Sequence, residues 1–301
     1  MATQETIRVG VIGAGANTRL HHIPKLQAIS GVEIVGVCNR SPESSQRVAD
    51  EFGIPTIYNT WTEAIADPET NAIVIGTWPY MHCRLTVAAL EANKHVMCEA
   101  RMARNAAEAH QMHNAALQNP HLTAQIVPSP FSFGVDRTIQ RLISEGYLGN
   151  LLAIDARSNG SAFLDPDGPR HWRHDMDLSG MNIMFMGIWY EALMRWVGEA
   201  TEVTAMGKTF VTMRKDDSGQ LKPVRIPEHL DIVAQMACGA QLHLQCSTVT
   251  GLVGATEAYL YGDAGTLHVD ATDSTNNKLY GGQQGDTALQ EIEIPADEWG
   301  S

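Results

Sequence analysis

A chain of 301 residues is long enough for two domains with separate apolar cores, and 44% hydrophobic with 18% charged residues is a soluble globular balance. A formal charge of −13 repels polyphosphate and argues against nucleic acid as a partner. No apolar run approaches the ~20 residues that cross a bilayer, and the amino terminus lacks the basic region of a signal peptide, so no membrane span and a cytoplasmic location are expected.

In chain order, "IRVGVI" at 7–12 is a short apolar strand followed directly by "GAGANT". Leu20, Ile23, Leu26 and Ile29 then recur at helical spacing. "VEIVGV" at 32–37 is a second strand, and Ser41 is placed to cap a helix from Pro42 to Phe52. "AIVIGT" at 72–77 is apolar throughout, as a strand buried on both faces must be. A helix over Leu85–Ala92, the strand "HVMCE", a helix over Ala106–Leu117 and "TAQIVP" at 123–128 complete the series. Strands alternating with helices at this spacing predict a parallel, doubly wound sheet.

The pattern changes after Pro128. Helices at about 135–145 and 180–197 flank "GNLLAIDARS", and segments beyond Thr201 alternate like strands between Gly, Asp and Pro. This predicts an α+β domain with a large, mostly antiparallel open sheet, and hence domains at 1–127 and 128–301. Cys38, Cys83, Cys98, Cys238 and Cys246 form no CxxC pair, so reduced, mostly buried thiols and no metal site are expected.

Gly13, Gly15 and Thr18 give G-x-G-x-x-T, with threonine where the third glycine of a dinucleotide loop usually falls. The first glycine permits a tight turn, and the second lets the backbone of Gly15, Ala16 and Asn17 approach a pyrophosphate at a helix N-terminus. The strand before and the helix after give the motif its context. Asn39 and Arg40 close the second strand where an acid would select NAD. Asparagine does not repel a 2′-phosphate and arginine can clamp one or stack on adenine, so the cofactor is NADP or NAD.

Three further stretches carry a resemblance. Thr77, Pro79 and His82 form T-x-P-x-x-H, "ALEANKHV" precedes the strand at 95, and Gly146 to Gly149 end a helix as GxLG. Over nearly its whole length the chain resembles the Gfo/Idh/MocA family, relatives of glucose-fructose oxidoreductase and inositol dehydrogenase. The resemblance implies a Rossmann domain, then an open-sheet substrate and oligomerisation domain. It also implies one further helical segment beyond Trp299, a homo-oligomer (dimer or tetramer), and a cofactor pocket to which Thr77, Trp78, Pro79, His82 and Glu99 belong.

The family oxidises sugar or polyol hydroxyls with a lysine in an E-K-P motif and an aspartate and histidine on a later helix. Here the glutamate is Glu99, the lysine falls on Ala100 and the proline on Arg101; with Gly187 as anchor, the aspartate falls on Phe185 and the histidine on Trp189. Removing hydride from an alcohol needs a group to take the hydroxyl proton, which alanine, phenylalanine and tryptophan cannot do and a permanently charged arginine cannot do either. Arg101 can instead polarise an oxygen or hold a carboxylate. Asn182, Phe185 and Trp189, at i, i+3 and i+7, share a helix face and would make a stacking wall for a sugar, with Trp78 as a third aromatic; Phe185 and Trp189 as plain core residues is the alternative.

Replacement proton carriers are sought in "DPDGPRHWRHDMD" at 165–177, a loop by its proline and glycine. His171 or His174 would serve as acid or base, Arg170 and Arg173 would bind an anion, Trp172 would stack, and Tyr190 is a further candidate. Three function classes follow, the last two as alternatives to the first. One is an NAD(P)-dependent oxidoreductase for a sugar, polyol or related cyclic hydroxyl compound with a non-standard acid–base set. The others are a redox-neutral lyase, hydrolase or group-transfer enzyme that keeps its cofactor, and a ligand-binding relative without turnover.

Overall fold

A computed structural model describes residues 6–127, 134–181, 183–273 and 276–299. It divides into two compact units. The first holds the described residues up to Val127 together with Asp175–Met181, so the expected division at 127 gains a returning segment; the second holds the rest.

The first unit runs β1 (Ile7–Ile12), a π-helical turn (Thr18–His22), α1 (Ile23–Gln27), β2 (Val32–Cys38), α2 (Pro42–Phe52), β3 (Thr56–Ile57), α3 (Trp61–Ala66), β4 (Ala72–Ile75), α4 (Pro79–Glu91), β5 (His95–Cys98), α5 (Ala106–Gln118) and β6 (Ala124–Ile126). After α6 (Asp136–Ser144) and β7 (Leu151–Asn159), which belong to the second unit, the chain returns as α7 (Met176–Ser179). The strands pair in the order β3-β2-β1-β4-β5-β6, all parallel. The order reverses between β1 and β4, which opens a crevice at their carboxyl ends. Every residue of β4 is buried, as a strand covered on both faces requires.

Local chemistry sets the helix ends. Ser41 Oγ accepts from Ser44 N, Pro42 starts α2, and Gly53 ends it at φ 66°. Asn105 caps α5 through Glu108 N. α4 begins at Pro79, six residues earlier than the apolar spacing suggests, because proline is well placed in a first turn. Of the four apolar positions expected to face inward near residue 25, Ile23 is fully buried and Leu26 partly so, while Leu20 and Ile29 are exposed. Each fully buried Ile or Leu contributes about 1.5–3 kcal/mol.

The second unit continues with α8 (Met184–Val197), β8 (Ala200–Lys208), β9 (Met213–Lys215), β10 (Leu221–Pro223), β11 (His229–Met236), β12 (Gln241–Ser247), β13 (Ala255–Gly262), β14 (Gly265–Asp270), β15 (Lys278–Gln283) and β16 (Gln290–Glu291). Its main sheet has the order β16-β15-β14-β13-β7-β12-β11-β8 and is antiparallel except between β7 and β12; β9 and β10 form a separate ribbon. Alternation is clear in β7, where Ile154, Ala156 and Ser158 are buried and Asp155 and Arg157 exposed. Ile154 and Ala156 join Val135, Ile139, Trp189, Leu193, Leu242 and Leu260 in one core under α6 and α8.

Candidate functional site

The glycine loop follows β1 at the reversal of strand order in the first unit. Gly13 has φ 87° and donates its N–H to Cys38 O at 2.8 Å; a Cβ there would lie 2.6 Å from Thr77 Cγ2 and N. Only glycine fits on both counts. Thr18, in the third-glycine position, is buried, and a Cβ on Gly76 would meet its Oγ1 at 2.1 Å. The bare backbone that lets strand and helix pack has moved from residue 18 to residue 76. Gly15, Ala16 and Asn17 are exposed, which leaves their backbone accessible. Thr77 Oγ1, at the same strand end, is buried and makes no hydrogen bond among the described residues. A positive-φ glycine, an open helix start and an orphaned hydroxyl beside them fit a bound dinucleotide.

Asn39 does not present its side chain as a ribose acid would. Its Oδ1 accepts from Ala14 N at 2.6 Å and its Nδ2 donates to Ser44 O at 3.2 Å, so it braces the glycine loop. Arg40 is exposed, with its guanidinium 5.9 Å from the centre of the Trp78 ring, a cation–π contact at the rim of the crevice. Pro79 opens α4 and is buried.

Glu99 lies just beyond β5. One oxygen, Oε1, accepts from Asn17 Nδ2 and faces His22 Nε2 at 2.5 Å; the other accepts from Ala100 N at 3.0 Å. Burial pushes this carboxyl up, but the hydrogen bonds from His22 and Asn17 outweigh it and hold it below the usual carboxylate range. Sequence reasoning missed His22; its signal was a histidine one turn after Thr18, among other polar residues of the same helix. His82 is fully buried, with Nδ1 facing Arg101 O and Nε2 facing Thr77 O, both at 2.8 Å. Burial pushes the ring down, against the pull of the two carbonyls. It ties the Thr77 and Arg101 backbones together and so shapes the crevice. The Ala100–Arg101 peptide bond is cis.

In the second unit, Asn182 lies outside the described residues. The helix expected from 180 begins at Met184. Phe185 is 40% exposed, whereas Trp189 is 1% exposed and packs edge-on against Trp196 at 6.2 Å. The expected shared wall is therefore corrected: one turn further along α8, Trp189 reaches the core under the sheet and takes a packing role, while Phe185 stays outside it. Tyr190 Oη accepts from Ala200 N at 3.0 Å and ties α8 to the start of β8. Glu191 and Arg195 form an i, i+4 pair at 3.0 Å, and Arg195 also reaches Asp136 at 2.8 Å.

The 165–174 loop is anchored by Arg214, which is 8% exposed and donates through Nη1 to Asp165 O at 2.9 Å and Gly168 O at 3.1 Å. Glu228 stands 3.5 Å from Arg214 and accepts from Phe210 N. Neither anchor was foreseen, because both are distant in sequence from the loop. Arg170 N donates to Lys215 O at 2.7 Å, and the Arg173 guanidinium lies 4.4 Å from the Trp172 ring centre. His174 Nδ1 accepts from His171 N at 3.1 Å, and His171 Nδ1 accepts from Arg173 N at 3.3 Å. Both lone pairs at Nδ1 are thus engaged, which assigns the proton of each neutral ring to Nε2. With Nδ1 accepting a backbone N–H, Nε2 is the nitrogen through which either ring would exchange a proton.

Six parallel strands in the order 3-2-1-4-5-6 with a glycine loop at the reversal, followed by an open mixed sheet, define a two-unit dinucleotide-binding class. The chain belongs to the Gfo/Idh/MocA family: residues 7–125 match its model "Oxidoreductase family, NAD-binding Rossmann fold" and residues 137–268 its C-terminal domain. An uncharacterized oxidoreductase of Synechocystis sp. is 24% identical over 287 residues, 93% of this chain and 76% of that one. Levoglucosan dehydrogenase of Pseudarthrobacter phenanthrenivorans is 25% identical over 231 residues, 71% of this chain and 57% of that one. A solved levoglucosan dehydrogenase, in complex with NADH and L-sorbose, shares the fold at TM-score 0.78 and 20% identity, over 96% of this chain and 80% of that chain.

Proposed function

We propose that this chain is an NAD(P)-dependent oxidoreductase acting on a hydroxyl of a small sugar, polyol or related cyclic compound, with a proton-handling set unlike its family's, and that it works as a homo-oligomer. The observation that carries the reading is the glycine loop itself: Gly13 in a conformation and a space that exclude any side chain, next to the Thr77 hydroxyl, which has no hydrogen-bond partner among the described residues. The dinucleotide, when bound, supplies the hydride acceptor or donor. Gly13, Gly15, Ala16 and Asn17 would hold its pyrophosphate, and Arg40 with Trp78 its adenosine end, where arginine serves NADP and NAD alike. Glu99 keeps the loop in place and is a poor base, since both its oxygens are occupied. Arg101 is suited to polarise a substrate oxygen. The redox-neutral reading is favoured by one observation, alanine at position 100 where the family has its lysine.

The test is a fluorescence titration with NADH and NADPH, followed by a panel of sugars and polyols. Gly13→Ala is expected to lose at least about tenfold in affinity for both dinucleotides, since each ~1.4 kcal/mol of strain or clash is a factor of ten. Arg40→Ala should weaken NADPH more than NADH. Net change in the cofactor with one member of the panel supports the oxidoreductase. Product without net change moves the chain to the redox-neutral class, and wild-type protein that binds neither dinucleotide overturns the reading.

A further inference from the structure

The main sheet of the second unit has two edges, and only one is blunted. β16 is two residues long, too short to offer a ladder to a further strand. β8, at the other edge, runs nine residues from Ala200 to Lys208, contains no proline, and pairs with β11 alone. Every residue from Thr201 to Lys208 is exposed, including Val203 at 67% and Met206 at 76%. Alternate residues of an edge strand turn their N–H and C=O away from the sheet. Among the described residues, no backbone hydrogen bond joins residues 201–207 to any segment but β11, so the outer ladder of β8 is open. Its side chains are sorted by face. Val203, Ala205 and Gly207 lie beside Ala234, Ile232 and Leu230 on the core side. Glu202, Thr204, Met206 and Lys208 lie beside Gln235, Val233, Asp231 and His229 on the other.

We propose that β8 pairs antiparallel with β8 of a second copy of this chain, about a two-fold axis at Ala205, and so joins two eight-stranded sheets into one. Charge selects both the partner and the register. Of all two-fold registers of this strand, only the one centred on Ala205 sets Glu202 directly opposite the partner's Lys208, and symmetry makes that pair twice. In the same register Val203 faces the partner's Gly207 and Ala205 faces its own counterpart, so the core side stays apolar across the join. Thr204 faces the partner's Met206 on the outer side. An axis at Thr204 would instead set Glu202 against Met206 and Lys208 against Ala200, leaving both charges unmatched. An edge that is complementary to itself closes as a dimer, and closure removes the exposed ladder. The proposal deepens the homo-oligomer of the reading above and rests on that part of it alone.

The experiment is sedimentation velocity of the full chain over a concentration series, with amide hydrogen exchange and NADH affinity measured alongside. Wild type is expected to assemble as a dimer or a multiple of one, and exchange at residues 203–207 should slow as it does, because pairing protects the open ladder. Glu202→Lys and Lys208→Glu each set like charges opposite one another twice, and each should weaken this association at least about tenfold. An equimolar mixture of the two variants makes both pairs attractive again and should associate about as tightly as wild type. A wild type that stays monomeric at micromolar concentration overturns the proposal. So do single variants that assemble like wild type, a mixture that stays apart, or an assembly that leaves exchange at 203–207 unchanged. Loss of NADH binding in a wild type that still assembles through β8 leaves this interface standing and removes the oxidoreductase reading instead.

Discussion

Glu99 occupies the place of a catalytic-motif glutamate but works through three hydrogen bonds, to Asn17, His22 and Ala100 N. Its carboxyl is held below the usual range, so the stability it contributes is complete above that range and is lost as pH falls through the lowered value. Wild type should therefore melt higher than Glu99→Gln at neutral pH, by the equivalent of about 1.5–3 kcal/mol, and the gap should close on acidification. A gap that persists unchanged into strong acid would show that the carboxylate charge is not what matters. At this scale the sequence marks residues without revealing what their side chains touch. Asn39 was legible as the end of β2, yet its turn inward to Ala14 N depends on the loop it braces. His171 and His174 were legible as a pair, whereas their tautomers depend on backbone N–H groups whose directions no spacing reveals.

Elements with strong periodicity or a capping residue were readable: α2 from Ser41, β4 from its unbroken apolar run, β7 from its alternation. Short ones were not. β3 and α3 are held by neighbours, as where the Tyr58 ring closes over Gly36, whose added Cβ would come within 2.3 Å of it. The wheel that put Phe185 with Trp189 treats a helix as endless, and α8 begins only one residue before Phe185. What fixes α8 is at its other end. Asp136, at the start of α6, accepts from Arg195 Nη2 and from Trp196 Nε1, both at 2.8 Å. Burial raises the Asp136 carboxyl despite both donors. Asp136→Ala removes the acceptor of both bonds across the α6–α8 pair and should cost about 3 kcal/mol in chemical denaturation. A loss below about 0.5 kcal/mol would mean that apolar packing alone holds the two helices.

At the scale of the molecule, the two domains were visible in the switch from alternating strands and helices to successive strands, but the return of residues 175–181 to the first unit was not. Seven residues with one short helix carry too little pattern to betray their partner. The partner is Arg104, which donates to Asp177 O at 3.1 Å, and whose backbone O would stand 2.2 Å from a Cβ on Gly180. Gly180 also has φ 67°. Gly180→Val should speed amide hydrogen exchange around Arg104–Glu108 while β13 keeps its protection; equal exchange in both proteins would show that the returning segment is dispensable.

That return bears on how the protein is made. A ribosome that has released Val127 has delivered every strand of the first sheet, yet one strip of its covering is still to come. Bringing that strip back closes a long loop, at an entropic cost of about 3–4 kcal/mol. Until residue 181 has emerged, the nascent sheet is finished in outline and unsealed at Arg104, and that interval is when a protease or a chaperone would find it.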